Sequence, residues 1–302
     1  MRVAVTGATG FIGRHVVAHF RSRGDDVIEV GRPLQHAAIS KAIAGADTVI
    51  HLAGVVSASR DEDYIAVNVD ATAAVAAAAR ECGARLIHIS SLAAAGPAGP
   101  QAPRSEADPS APMTAYGHSK LEGERVVAAI TGLRWTVLRP GVVYGPGDRA
   151  LLPLFVLASR GVLPNIGRAS AAYTFVYVTD VVRAIAAAVD RGASGDVLFV
   201  GHAKPVTTRA LLEGVRKAVG RGAMIVPVPL PVLKLVALLG DVGGAVRGKP
   251  LPMNSRRYNE LATGGFVCRV NRLHDRLGVV AEVGLDEGLA QAAAWYRREG
   301  WL

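Results

Sequence analysis

The stretch Arg2-Val3-Ala4-Val5-Thr6-Gly7-Ala8-Thr9-Gly10-Phe11-Ile12-Gly13 decides the fold. Arg2 to Thr6 read as a strand, and a helix pattern runs over 12–23 until Gly24 stops it. Between them lies a glycine turn. Gly7 permits the tight bend, Gly10 lets the backbone approach a pyrophosphate, and Gly13 lets the helix pack closely on the sheet. The helix start offers free N–H groups and partial positive charge to phosphates. A glycine triplet alone is weak evidence, but its place between an apolar strand and a helix is specific. Gly7, Thr9, Gly10, Phe11, Ile12 and Gly13 are therefore expected to hold a dinucleotide.

The next strand, 26–30, bears on which dinucleotide. A strand that serves NAD ends in an acid that binds the ribose hydroxyls. Here Val27-Ile28-Glu29-Val30 runs into Gly31-Arg32-Pro33, with no acid at the tip. A guanidinium suits a 2′-phosphate, which it grips with two parallel hydrogen bonds. Arg32 is read as that group, with Arg14 second, so NADP(H) is favoured over NAD(H). Between Arg32 and a strand at 48–52 there is room for one short helix only. The third strand usual in such sheets is expected to be missing, together with its contacts to the adenine.

Farther out, strands at 85–89 and 135–138 alternate with helices at 37–44, 61–82 and 116–130. Alternation of this kind gives βαβ units and a parallel sheet. After Gly145-Pro146-Gly147 the rhythm changes. Helix-like pieces with prolines occupy 150–165, and strand, helix and strand return over 174–200 to rejoin the sheet. The remainder reads as mainly helical, with helices at 211–219, 232–239 and 285–298. The fold class is thus α/β: a Rossmann-type, doubly wound parallel sheet with a small, mainly helical C-terminal substrate lobe. Residues 1–150 and 174–204 are assigned to the dinucleotide-binding domain, and 151–173 and 205–302 to the lobe.

Composition narrows the partners. The chain has 302 residues, half of them hydrophobic and a fifth charged, which suits a globular protein. Its net charge of +9 raises the question of nucleic acid, but the basic residues are scattered, with runs no denser than pairs such as Arg297-Arg298. No nucleic-acid partner is expected. The apolar stretch 224–239 contains Pro227, Pro229, Pro231 and Lys234, which argue against a lipid-spanning helix. It reads as a strand, a turn and a buried helix start, so no membrane partner is expected. An apolar strand begins at once, so no signal peptide is expected. Cys82 and Cys268 lack metal-ligand spacing and read as reduced thiols of a cytoplasmic protein, with no metal site.

The chemistry is concentrated in Tyr116-Gly117-His118-Ser119-Lys120, which puts a tyrosine and a lysine on one face of a helix. A phenol titrates near pH 10, and exchange near neutrality asks for a fall of about 3 in its pKa, or roughly 4 kcal/mol. A neighbouring ammonium and a cationic cofactor ring are the natural sources of that shift. Ser90-Ser91 follows a strand at the carboxyl edge, where such sheets carry ligands, and a serine hydroxyl there can hold a carbonyl or alcohol oxygen. His51, His88 and His118 are read as structural rather than as bases, because the tyrosine already fills that role.

The order of these motifs resembles that of the extended short-chain dehydrogenases/reductases, over nearly the whole chain. The resemblance rests on the glycine turn, Asp47-Thr48-Val49-Ile50-His51-Leu52-Ala53-Gly54, Asn68-Val69-Asp70-Ala71-Thr72 and Ile89-Ser90-Ser91 followed by Gly96. It continues through Tyr116 and Lys120, Leu138-Arg139-Pro140-Gly141-Val142-Val143-Tyr144-Gly145-Pro146, Phe175-Val176-Tyr177-Val178-Thr179-Asp180 and the Trp295-to-Leu302 ending. It implies that Tyr116 is the general acid/base, that Lys120 lowers its pKa and binds ribose, and that Ser91 orients the substrate. It also implies that Leu52, Ala53, Pro140 and Val143 line the cofactor, that Asn68 and Asp180 are structural, and that the protein is a homodimer built on 61–82 and 116–130, where alanines at 73–79 permit close packing.

Such a family holds reductases, dehydrogenases, epimerases and dehydratases, so the fold does not settle the reaction. Members acting on nucleotide sugars tend to carry an arginine just before the Phe-Val-Tyr-Val strand. Here Ala172-Tyr173-Thr174 has none, although Arg168, a few residues earlier, could substitute for it. Dehydratases tend to carry acids after the orienting hydroxyl, whereas Ser91 is followed by Leu92-Ala93-Ala94-Ala95. Leu151, Leu152, Leu154, Phe155, Val156, Leu157 and 232–239 suggest an apolar pocket. The expected reaction is hydride transfer, with NADP(H), on a ketone or secondary alcohol of an apolar small molecule. A nucleotide-sugar epimerase or dehydratase with tightly bound NAD(P) is the alternative.

Overall fold

The computed structural model describes residues 1–58, 60–166, 170–220, 222–247, 258 and 265–302. Its central sheet is built from β1 (Arg2–Thr6), β2 (Asp26–Val30), β3 (Thr48–His51), β4 (Arg85–Ile89), β5 (Trp135–Pro140) and β10 (Asp196–Val200). Their order is β10-β5-β4-β3-β1-β2, all parallel.

Strand β1 shows why the sheet is sandwiched. Successive side chains leave a strand on opposite faces. Val3 and Val5 join a core with Val16, Val17 and Phe20 of α1 (Phe11–Ser22) and the apolar side of α7 (Val178–Arg191). Ala4 joins a core on the other face, with Ile39 of α2 (His36–Ala42), Val75 and Ala76 of α4 (Ala71–Glu81) and Val127 of α5 (Ala115–Ala129). Only α2 lies between β2 and β3, and β2 forms the sheet edge, so the third strand is absent as expected.

Beyond β5 the chain makes a short parallel ladder of β6 (Val142–Tyr144) with β9 (Phe175–Tyr177), and β8 (Ala172–Tyr173) pairs with β11 (Val206–Thr207) and β13 (Gly265–Phe266). A separate core gathers Tyr144, Phe155 of α6 (Leu152–Ser159), Leu212 of α8 (Thr208–Val219) and Leu289 and Tyr296 of the helix Leu285–Arg298. The C-terminus locks it. Trp301 packs edge-on to Trp295 at 4.8 Å, the Arg149 guanidinium sits 4.9 Å over its ring, and the Tyr296 hydroxyl donates to the Asp148 carbonyl at 2.7 Å.

Four sequence readings need correction. Val162–Ile166, nearly all of it inside the stretch 150–165 read as helix-like, is a strand, β7, paired in parallel with β12 (Met224–Val228). The helix read over 61–82 is broken: α3 (Asp61–Ile65) passes through a π-helical turn, Ala66–Asp70, before α4 begins. That turn faces Asn68 inward. Phe155 is fully buried in the lobe's own core and so lines no pocket, and Leu151, Leu152 and Leu154 pack partly buried against that core. Finally, the buried helix start at 232–239 belongs to α9 (Leu230–Arg247), most of whose large apolar side chains face outward.

Candidate active site

From β1 the chain goes to β2 on one side and returns to β3 on the other, so a crevice opens at the carboxyl ends of β1 and β3. The glycine turn fills that crevice's floor. Gly7 has φ +70°, and a Cβ there would stand 2.7 Å from the Ala53 nitrogen. A Cβ on Gly13 would lie 2.1 Å from the Gly7 carbonyl oxygen, so any side chain would push α1 off the turn. Thr6 fixes the facing strand end: its carbonyl accepts from Leu52 N–H at 3.2 Å and its hydroxyl from Ala53 N–H at 3.3 Å. The first turn of α1 holds no acid and Gly10 caps it without a side chain, which leaves the first N–H groups for an anion. These residues fit a dinucleotide pyrophosphate.

Arg32 is exposed two residues beyond Val30, the register partner of Thr6, at the same sheet edge as the glycine turn. No partner of its guanidinium is recorded among the described residues. Glu29, the nearest acid on β2, is held by Arg21 at 2.8 Å. Thr9 is exposed, while Phe11 and Ile12 are half-buried at the head of α1. Pro140 ends β5 beside Val200, and Val143 of β6 packs on the main core.

Ser91 follows β4 and caps the short 3-10 turn Leu92–Ala94, its hydroxyl accepting from Ala93 N–H at 3.2 Å. Thr114 caps α5 by accepting from Gly117 N–H at 2.9 Å. A Cβ on Gly117 would come within 2.5 Å of the Ala93 carbonyl oxygen, so glycine lets α5 lie against the Ser91 turn. That closeness brings the hydroxyls of Ser91 and Tyr116 together. Burial raises the pKa of Tyr116 above its ordinary value, and the hydrogen bond with Ser91 pulls it back in part. Tyr64, with its ring 6.3 Å away, adds to the rise.

Lys120 is anchored to β4 in this structure. Its buried ammonium donates to the Ile89 carbonyl at 2.7 Å, and burial pushes its pKa down to about 8 against the pull of Glu124. A depressed lysine pKa costs stability wherever the folded chain must still hold the proton. The penalty is full below about pH 8 and fades as pH rises toward 10, because the unfolded lysine then binds more protons. Stability of wild type minus that of Lys120→Met should therefore rise by about 3 kcal/mol between pH 7 and 10. Urea titrations that give a flat difference would place Lys120 in water.

Beneath the serines lies a pair that sequence reasoning missed. Glu124, one turn after Lys120, takes two bonds from the Arg139 guanidinium, at 2.8 and 2.6 Å, and one from the Ser90 hydroxyl. Both side chains are buried. Arg139 also donates to the Ser110 hydroxyl at 3.0 Å. The signal was the four-residue spacing of Lys120 and Glu124 together with an arginine inside a mostly apolar, buried strand.

Asn68, Asp180 and His51 are engaged by bonds within the chain. Asn68 bonds both backbone groups of Val55 and, through Nδ2, the Ser119 hydroxyl at 2.9 Å, tying the loop after β3 to α5. Asp180 accepts from Val283 N–H at 3.1 Å. His51 bridges the hydroxyls of Thr6 and Thr72 and stacks on His88 at 5.3 Å. Burial lowers the pKa of His51 to about 3 and that of His88 well below its usual value, so both stay neutral. His118 is exposed, and Arg168 lies outside the described residues. Among the described residues, no group of three or more potential ligands could hold a metal ion, and no helix is long and apolar enough to cross a membrane.

Comparison with known proteins agrees with this geometry. The NAD dependent epimerase/dehydratase family matches residues 3–201. The chain belongs to that family. Its relatives include the ceramide reductase of Caulobacter vibrioides, 30% identical with 99% of this chain and 96% of that protein covered. Another is the 4-hydroxy-2-methyl-3-oxo-4-farnesyl-3,4-dihydroquinoline-1-oxide ketoreductase of Stigmatella aurantiaca, 27% identical over 80% of each. Among solved structures, MoeE5 in complex with UDP-glucuronic acid and NAD is 26% identical, with a TM-score of 0.79, covering 99% of this chain and 100% of that one. As a family member the chain is an enzyme of nicotinamide-dinucleotide chemistry.

Proposed function

We propose that this family member is an NADP(H)-dependent reductase for a ketone on a long apolar molecule. The observation that carries the reading is the pair of hydroxyls, Ser91 and Tyr116, at the carboxyl edge of β4, with the phenol kept protonated. A protonated phenol is the form that donates. Ser91 would hold the carbonyl oxygen while Tyr116 delivers the proton to it. Nicotinamide, when bound, supplies the hydride for the carbonyl carbon. The glycine turn would hold the pyrophosphate, Leu52, Ala53, Pro140 and Val143 would line the ring and ribose, and Lys120 would give up its bond to Ile89 to hold the ribose hydroxyls.

Arg32 supports NADPH, since it is exposed beside the turn with no acid at the strand tip. Arg32→Ala should raise the KM for NADPH at least about tenfold and leave that for NADH nearly unchanged. Equal KM values for NADPH in the two proteins would remove Arg32 from the site.

The substrate class is supported by two relatives, one named for ceramide and one for a farnesyl-bearing quinoline oxide. The alternative, sugar-nucleotide chemistry, is favoured by MoeE5, whose complex holds UDP-glucuronic acid. Against it stand the absence of an arginine at Tyr173-Thr174 and of an acid after Ser91. We further assign the protein to the cytoplasm and to a homodimer paired through α4 and α5, although Ala76, Ala78 and Ala79 are already used inside the chain. The test is NADPH oxidation with ketones of increasing chain length. The reading requires kcat/KM to climb with length. Failure with every ketone, together with interconversion of UDP-hexoses, would replace it with the alternative.

A further inference from the structure

Helix α9 carries two apolar faces. Leu233, Ala237, Gly240 and Gly244 are buried. The opposite side presents Val232, Leu235, Val236, Leu238, Leu239 and Val242, which are 46–64% exposed. At 100° per residue these six span about half the helix circumference, with Lys234 and Asp241 at its flank. A helix of a water-soluble body normally turns charge outward, and a contiguous exposed apolar patch marks a binding surface. Met224 and Val226, on the strand just before it, are exposed as well.

The charge of the chain indicates what the face meets. Residues 203–257 hold ten lysines and arginines against two acids, which is nearly the whole net charge of +9. The basic residues are scattered over the chain, but their excess over acids is not. An outward apolar helix in a segment with this excess of cations suits an anionic lipid surface, with the apolar side chains below the headgroups and Lys234 at their level.

We propose that α9 docks this protein on the surface of an anionic membrane, lying in the headgroup region without crossing it. This departs from the expectation of no membrane partner, which rested on prolines that bar a spanning helix but not a surface-bound one. Docking would place the lobe where a long-chain ketone is dissolved. The proposal stands apart from the proposed reaction, because lipid binding is read without turnover.

The purified full-length chain is centrifuged with vesicles of phosphatidylcholine, with and without phosphatidylglycerol. The expected result is co-sedimentation with the anionic vesicles that weakens as NaCl is raised, and about a tenfold or greater loss of binding in the double variant Leu235→Ser, Leu239→Ser. Both residues are exposed, so the thermal midpoint should hold, and Lys234→Glu gives a second, smaller loss. No sedimentation of the wild type with either vesicle, or equal binding by the double variant, overturns the proposal. So does a double variant that changes from dimer to monomer in velocity sedimentation while vesicle binding is unchanged, which would show that a second copy covers the face.

Discussion

Replacing Tyr116 by phenylalanine should lower kcat for ketone reduction by about 10²–10⁴, the range associated with a positioned proton donor. The ring still fills its place beside Tyr64, so KM for NADPH should barely move. The phenol's raised pKa gives the direction of the pH dependence. Reduction needs the protonated form and persists through neutrality. Oxidation of the alcohol needs the phenolate and rises with pH. Ser91→Ala should cost less, because it removes an oxygen-holding group and leaves the proton source. If Tyr116→Phe kept a tenth or more of the activity, another group would be moving the proton. His51 and His88 are poor candidates, being neutral, buried and stacked on one another.

The second large effect concerns stability. Glu124→Ala leaves the Arg139 guanidinium buried without its carboxylate and strips the Ser90 hydroxyl of its acceptor. Breaking a buried pair from one side costs about 3–5 kcal/mol, most of it the penalty for the stranded charge. Urea denaturation should show that loss. The double variant Glu124→Met, Arg139→Leu should recover much of it, since two apolar side chains strand nothing. A loss under about 1 kcal/mol in Glu124→Ala would mean that water reaches Arg139.

Much of this architecture can be read from the sequence, because local pattern and tertiary demand coincide there. Val3-Ala4-Val5 is apolar on both faces and lies between two helical layers. Gly24, Gly83 and the Gly145–Gly147 turn end elements where they are expected to. The parts that misled are those where long-range partners decide. Pro164 and Asn165 are poor strand formers, yet β12 recruits them into a ladder. The π-helical turn around Asn68 arises from bonds to Val55 and Ser119 that no local signal carries. Tyr116 and Lys120 were legible as neighbours on one helix face, but not that the ammonium turns to the Ile89 carbonyl. Spacing gives proximity, while direction depends on which buried acceptor is nearest. The outward side of α9 was misread for a different reason. Apolar residues are normally buried, and a helix apolar on both sides departs from that pattern.

The central claim is an exchangeable NADPH site serving hydride transfer to an outside ketone. The most direct test is to release nucleotide from the purified protein with acid, identify it by its absorbance and chromatographic mobility, and titrate NADPH and NADH into the emptied protein. The account predicts little retained nucleotide and clearly tighter binding of NADPH. Stoichiometric NAD that stays through purification, with no preference for the phosphorylated form, would contradict it and point to an enzyme that recycles its cofactor within each turnover.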